Sequence, residues 1–115
     1  MTKRPRERKL LHVGVTLANP ARAKAYERVF GKAKDWFRYA PNCWILWTSV
    51  SAGKWANRMR AIVREGKESF LVCELNFKNH EGWLTRESWD WINSKAFGKE
   101  PQEQQTEVTP AQHSD

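Results

Sequence analysis

The residues with the clearest chemical potential are cations at helical spacing. Lys24, Arg28 and Lys32 follow one another at i, i+4 steps, with Arg22 beside them and Glu27 against them. A second group, Lys54, Arg58, Arg60 and Arg64, runs without an acid until Glu65. Side chains four apart share one helix face, so the first group forms a positive stripe, and the two groups together would make a basic patch on the outer helical faces. Ordinary surfaces mix the two signs. A face of one sign suits phosphate oxygens, although every amphipathic helix needs a solvated side of some kind.

Acid–base or metal chemistry has thinner support. His12, Thr16, Glu74 and Asn76 fall on the outward sides of two strand-like runs expected to be neighbours, so they could meet as one polar cluster. One imidazole and one carboxylate are too few for a hard-cation site. His80-Glu81 in a loop is no stronger, because adjacent turn residues rarely converge on one ion. Nothing matches a phosphate-cradling loop, a serine triad or a carboxylate pair. The reading assigns no catalytic residue, no metal ligand and no cofactor.

Seven tryptophans are many for 115 residues. Each ring buries a large area and its N–H wants a partner, so one small core should not hold them all. Exposed sheet aromatics could stack on unpaired bases. They could instead fill an interface, where tryptophan is enriched. Cys43-Trp44-Ile45-Leu46-Trp47 lacks the glycine and basic residues of an RNA-stacking strand. Trp36, Trp44 and Trp47 are therefore assigned to a dimer or partner interface.

The elements that must position these residues follow from periodicity. Leu11, Val13, Val15 and Leu17 alternate with His12, Gly14 and Thr16, as in a half-buried strand. Asn19 can cap the next helix, with Pro20 at its start. Tyr26, Val29, Phe30 and Ala33 form its inner stripe. Trp36 to Tyr39 and Cys43 to Thr48 make two strands around the turn Pro41-Asn42. Ser51 can cap a second helix that buries Trp55, Met59, Ile62 and Val63 and ends at Gly66 in a left-handed cap. Phe70 to Phe77 is a last strand with Leu71, Cys73 and Leu75 inward and Glu74 and Asn76 outward. Thr85 can cap a closing helix that carries Trp89 and Ile92.

That order predicts an α+β domain: a ferredoxin-like βαββαβ unit with a four-stranded antiparallel sheet, a short C-terminal helix and a disordered tail. Residues 1–9 read as a basic disordered arm, 10–97 as the domain and 98–115 as a disordered acidic tail. The Cys43–Thr48 strand is apolar on both faces, Trp44 and Leu46 one way and Cys43, Ile45 and Trp47 the other. Both helices of such a unit cover one sheet face, so a second copy of the chain is expected over the other.

The net charge is +7, with an arm rich in Lys and Arg and a tail carrying Glu100, Glu103, Glu107 and Asp115. Such a balance favours polyanionic partners. The leading partners are thus a homodimer mate, DNA or RNA, and a partner protein. Two cysteines inside apolar runs are expected to be buried free thiols, which fits a reducing cytosol. The start of the chain is a poor signal peptide, and no stretch approaches the roughly 20 apolar residues of a membrane span.

Over roughly Leu10 to Ala96 the layout resembles the small ferredoxin-like subunit of the CRISPR adaptation complex and its stand-alone relatives. The resemblance lies in Leu11-His12-Val13-Gly14-Val15-Thr16-Leu17 running into Asn19-Pro20, in Asn42-Cys43-Trp44-Ile45-Leu46-Trp47-Thr48-Ser49, and in Phe70-Leu71-Val72-Cys73-Glu74-Leu75. Trp89-Asp90-Trp91-Ile92-Asn93 is similar to the closing element of the stand-alone members. It implies a homodimer packed through its sheets and contact with nucleic acid. Nuclease members carry a metal-binding aspartate at the end of the first strand, where this chain has Thr16 between Val15 and Leu17. A hydroxyl cannot replace that carboxylate, so the nuclease activity is not implied.

The expectation is a non-catalytic, cytoplasmic, homodimeric module that binds nucleic acid through Lys24, Arg28, Lys32, Lys54, Arg58, Arg60 and Arg64. A protein-interaction module of a defence or toxin–antitoxin system is one alternative, with Trp36, Trp83 or Trp91 as anchors. A metal-dependent endonuclease using His12 and Glu74 is the other.

Overall fold

A computed structural model describes residues 7–96. The expectations for residues 1–6 of the arm and for the tail from 98 onward lie outside the described residues. The chain divides into two compact units, one up to Leu75 and one from Asn76.

The first unit is an α+β arrangement. Strand β1 (Lys9–Thr16) leads through a 3-10 turn (Pro20–Arg22) into helix α1 (Ala23–Phe30). Strands β2 (Asp35–Ala40) and β3 (Cys43–Thr48) form a hairpin, followed by helix α2 (Ala52–Arg60) and strand β4 (Ser69–Glu74). The four strands form one sheet in the order β2-β3-β1-β4, every neighbouring pair antiparallel. Asn19 opens the 3-10 turn by accepting the Ala21 N–H at 3.0 Å, and Ser51 opens α2 by accepting the Lys54 N–H at 3.2 Å.

One sheet face carries the core. Leu11, Val13 and Val15 of β1 and Trp44 and Leu46 of β3 pack with Ala23, Tyr26 and Phe30 of α1 and Trp55 and Met59 of α2. Both helices therefore cover the same face, which matches the residue stripes. Helix α2 is shorter than expected. It ends at Arg60, and Ile62, although packed on the core, lies beyond it. Gly66 does adopt a left-handed conformation (φ 82°), but in a turn further on. There the Glu68 N–H donates to the Arg64 carbonyl at 2.8 Å. A side chain at Gly66 would meet nothing, so the dihedral rather than space requires glycine.

Strand β4 corrects one expectation. Val13 pairs with Val72 and Val15 with Phe70, and directly opposed residues share a face. Phe70 and Val72 thus face the core, while Leu71 is 64% exposed and Cys73 is exposed too. Phe70-Leu71-Val72-Cys73 is apolar on both faces, so alternation alone could not choose between two registers that differ by one residue.

The second unit contains helix α3 (Arg86–Ala96), opened by Thr85, whose hydroxyl accepts the Ser88 N–H at 3.1 Å. In its aromatic cluster His80 lies edge-on to Phe77 (4.8 Å between ring centres) and tilted against Trp89 (5.9 Å). Among the described residues no helix is long and apolar enough to cross a membrane.

Candidate nucleic-acid interface

The basic residues lie only partly where periodicity put them, because Lys32 and Arg64 fall beyond the ends of their helices. Lys24 and Arg28 of α1, Lys32 after its end, Lys54 and Arg60 of α2, and Arg64 in the following turn are all exposed, and Arg58 is half-buried. Helices α1 and α2 neighbour each other over one sheet face, so the two groups form one layer. Arg60 is steadied by its own helix, donating to Asn57 Oδ1 at 2.5 Å.

What makes the layer one-sided is the fate of its acids. Glu27 turns toward the sheet, where it accepts the Trp44 indole N–H at 3.0 Å and lies 3.7 Å from the Arg38 guanidinium. Arg38 in turn covers the Trp44 ring, 5.2 Å from its centre. Glu68 is buried completely. Its carboxylate accepts five hydrogen bonds: two from Arg22 (3.0 and 2.9 Å), one from the Tyr26 hydroxyl (2.8 Å), and one each from the N–H groups of Ala18 (3.0 Å) and Arg64 (3.1 Å). A carboxylate so enclosed is fully satisfied.

The electrostatic consequence follows. The Arg22 guanidinium, helped by the Ala18, Tyr26 and Arg64 donors, holds the Glu68 carboxyl far below the usual carboxylate range despite the opposing cost of burial. Burial, then the Glu68 carboxylate, pushes the Tyr26 phenol up to about 12. Arg22 also donates to the Ile62 carbonyl at 2.6 Å, so it belongs to the frame and not to the outer stripe. The sequence reading missed Glu68. Its partners lie more than forty residues away in the chain, apart from the Arg64 turn, and the local signal was limited to a glycine turn before a carboxylate.

The suspected polar cluster is not assembled. His12 pairs with Cys73 and Ile45, on the sheet face away from α1 and α2, whereas Glu74 pairs with Leu11 and takes the core side. Thr16 is four residues along β1 from His12, about 13 Å away, and Asn76 belongs to the second unit. His12 Nε2 instead lies 2.6 Å from the Tyr39 hydroxyl. Burial pushes the His12 imidazole below its ordinary value and the Tyr39 phenol up to about 12, the latter aided by the Cys43 thiol. Among the described residues no three His, Cys, Asp or Glu side chains are placed to hold a metal ion.

The thiols and indoles need further corrections. Cys43 is half-buried and Cys73 exposed, both free. They sit on strands flanking β1, about 10 Å apart, beyond disulfide reach. Trp44 cannot serve an interface. It is fully buried, 5.2 Å from Phe30 between ring centres, because its strand face is the one roofed by the helices. Trp36 packs half-buried beside Phe30 (6.5 Å), and Trp47 is half-buried on the far face. Trp83 is 70% exposed in its loop, and Lys95 lies over the Trp91 ring at 5.5 Å.

The far sheet face is not bare within the single chain. Leu10 and Ile45 on that face are each only 4% exposed within the single chain, so the two-sided strand no longer demands a twin.

No protein-family model, curated protein or solved structure matches this chain.

Proposed function

We propose that this chain is a small non-catalytic module that grips the phosphate backbone of nucleic acid through its helical layer. One observation carries the reading. Glu27 and Glu68 are turned inward onto Trp44, Arg38, Arg22 and Tyr26, while Lys24, Arg28, Lys32, Lys54, Arg60 and Arg64 stay outward beside a single exposed acid, Glu65. Charge of one sign at this density attracts a polyanion whatever its sequence.

The scaffold proposed is ferredoxin-like. Support comes from the order β2-β3-β1-β4, the antiparallel pairing and both helices over one face. The same features support kinship in design with the small subunit of the CRISPR adaptation complex. Thr16, exposed at the end of β1 where nuclease members have an aspartate, supports a role without cleavage.

Equilibrium binding of labelled duplex and single-stranded DNA and RNA tests the proposal. Binding is expected at about 50 mM salt and to weaken about a hundredfold by about 200 mM, as for several neutralised phosphates. Lys24→Glu with Arg28→Glu should abolish it. No affinity for any of the four probes at the lower salt would overturn the reading. In that event the exposed Trp83 favours the protein-interaction alternative.

A further inference from the structure

Among the cations of the helical layer, Arg58 is held differently. Its guanidinium carbon lies 4.5 Å from the centre of the Trp55 ring. That ring is fixed from below: Trp55 is fully buried, and its indole N–H donates to Thr48 Oγ1 at 3.2 Å. A guanidinium stacked on an immobile indole has lost most of its rotamer freedom before any ligand arrives.

Its hydrogen bonding is unfinished. Arg58 Nη1 is buried and has no hydrogen-bond partner among the described residues. A buried donor without an acceptor is destabilising unless something outside the fold supplies one. Lys54 sits one turn earlier on the same helix face and is exposed. Two like charges at that spacing repel, and an anion between them removes the repulsion. The acceptor that answers a planar fork of N–H donors beside an ammonium is an oxyanion with several oxygens in reach. With no inward acid spent on this pair, phosphate is the oxyanion the layer selects.

We infer that Arg58, held over Trp55 and flanked by Lys54, is the docking point for one phosphate group, about which the other cations add charge without fixing position. The inference rests on the nucleic-acid reading and sharpens it from a diffuse layer to a layer with an anchor.

The test replaces Arg58 by lysine in the full chain, keeping the charge and removing the stacked fork. Duplex affinity is expected to fall about tenfold with the salt dependence unchanged, because the number of neutralised phosphates is the same. Arg86→Lys, at an exposed arginine outside the helical layer, should change affinity less than twofold. Equal affinities for Arg58→Lys and the unaltered chain, or equal losses for Arg58→Lys and Arg86→Lys, would overturn the inference. A second measurement guards against a folding defect. Inorganic phosphate titrated into the unaltered chain should shift the indole N–H resonance of Trp55 and leave that of Trp44 in place. No shift at Trp55, or equal shifts at both, counts against the anchor. If the unaltered chain binds no nucleic acid yet phosphate shifts Trp55, the general reading fails and the phosphate site stands.

Discussion

Of the three arginines in the first unit that lie over core aromatic rings, Arg22 and Arg58 differ most in what surrounds them. Arg22 is 5.5 Å above Tyr26 and has its donors taken by Glu68 and the Ile62 carbonyl. Arg58 is 4.5 Å above Trp55 and keeps a buried nitrogen without an acceptor. The first arrangement ties the loop before α1 to the turn before β4. The second ties nothing to anything. A saturated arginine is a fastening, and an unsaturated one beside exposed cations is a binding group. Chain composition cannot distinguish them, since both appear as one positive charge on a helix or its approach.

The comparison breaks most sharply at Glu68. Glu68→Gln is expected to give the largest loss of stability in urea unfolding, because the half-buried Arg22 guanidinium is left without its counter-charge. The same contact fixes a pH dependence. The folded-state carboxyl titrates far below its unfolded counterpart, so the unfolded chain binds the extra proton on acidification. The stabilisation is complete above the ordinary carboxylate range and drains away as pH falls beneath it. Unfolding free energies compared at neutral pH and below pH 4 should converge for Glu68→Gln and the unaltered chain. Curves that stay parallel would show that Glu68 is not the titrating fastener.

Tyr26→Phe removes a single donor from the same carboxylate and should cost about 1 kcal/mol. Its effect on nucleic-acid affinity should be nil, which separates the fastening from the binding layer. Arg58→Gln should give the reverse pattern. Stability is expected to change by less than about 1 kcal/mol, since a lost ring contact and a relieved unmet donor offset each other. The smallest effect belongs to Leu71→Lys on the far side of the sheet. At 64% exposure it should alter stability by no more than about 0.5 kcal/mol and leave the mass in light scattering unchanged. A drop from dimer to monomer mass would instead reinstate the far face as a contact between copies.

How much of this was legible before the structure depended on the range of the interactions. Asn19, Ser51 and Thr85 cap helices or turns through bonds two or three residues long, and each could be read directly. The cations within the helices were legible for the same reason, since helical spacing is local, but Lys32 and Arg64 lie past the helix ends. Strand β4 was not, because Leu71 and Val72 are equally apolar and only pairing with β1 decides which is buried. Trp44 shows a related failure: its strand face was assigned correctly, but the identity of its cover was not. The indole count rightly pointed to overflow from the core, which holds Trp44 and Trp55, but the count could not say that Trp44 was one of those inside. Glu68 was invisible because four of its five donors come from parts of the chain that only folding brings near.

The central place of β1 shapes how the protein can be made. Its two edges wait for partners that emerge in sequence, β3 first and β4 well after, so Val13 meets Trp44 before it meets Val72. Until β4 leaves the ribosome, one edge of a strand containing Leu11, Val13 and Val15 has no mate. Pairings this distant slow assembly compared with a purely helical chain. A growing chain of this design gains from keeping its cationic arm ahead of that strand, where like charge discourages premature association between nascent copies.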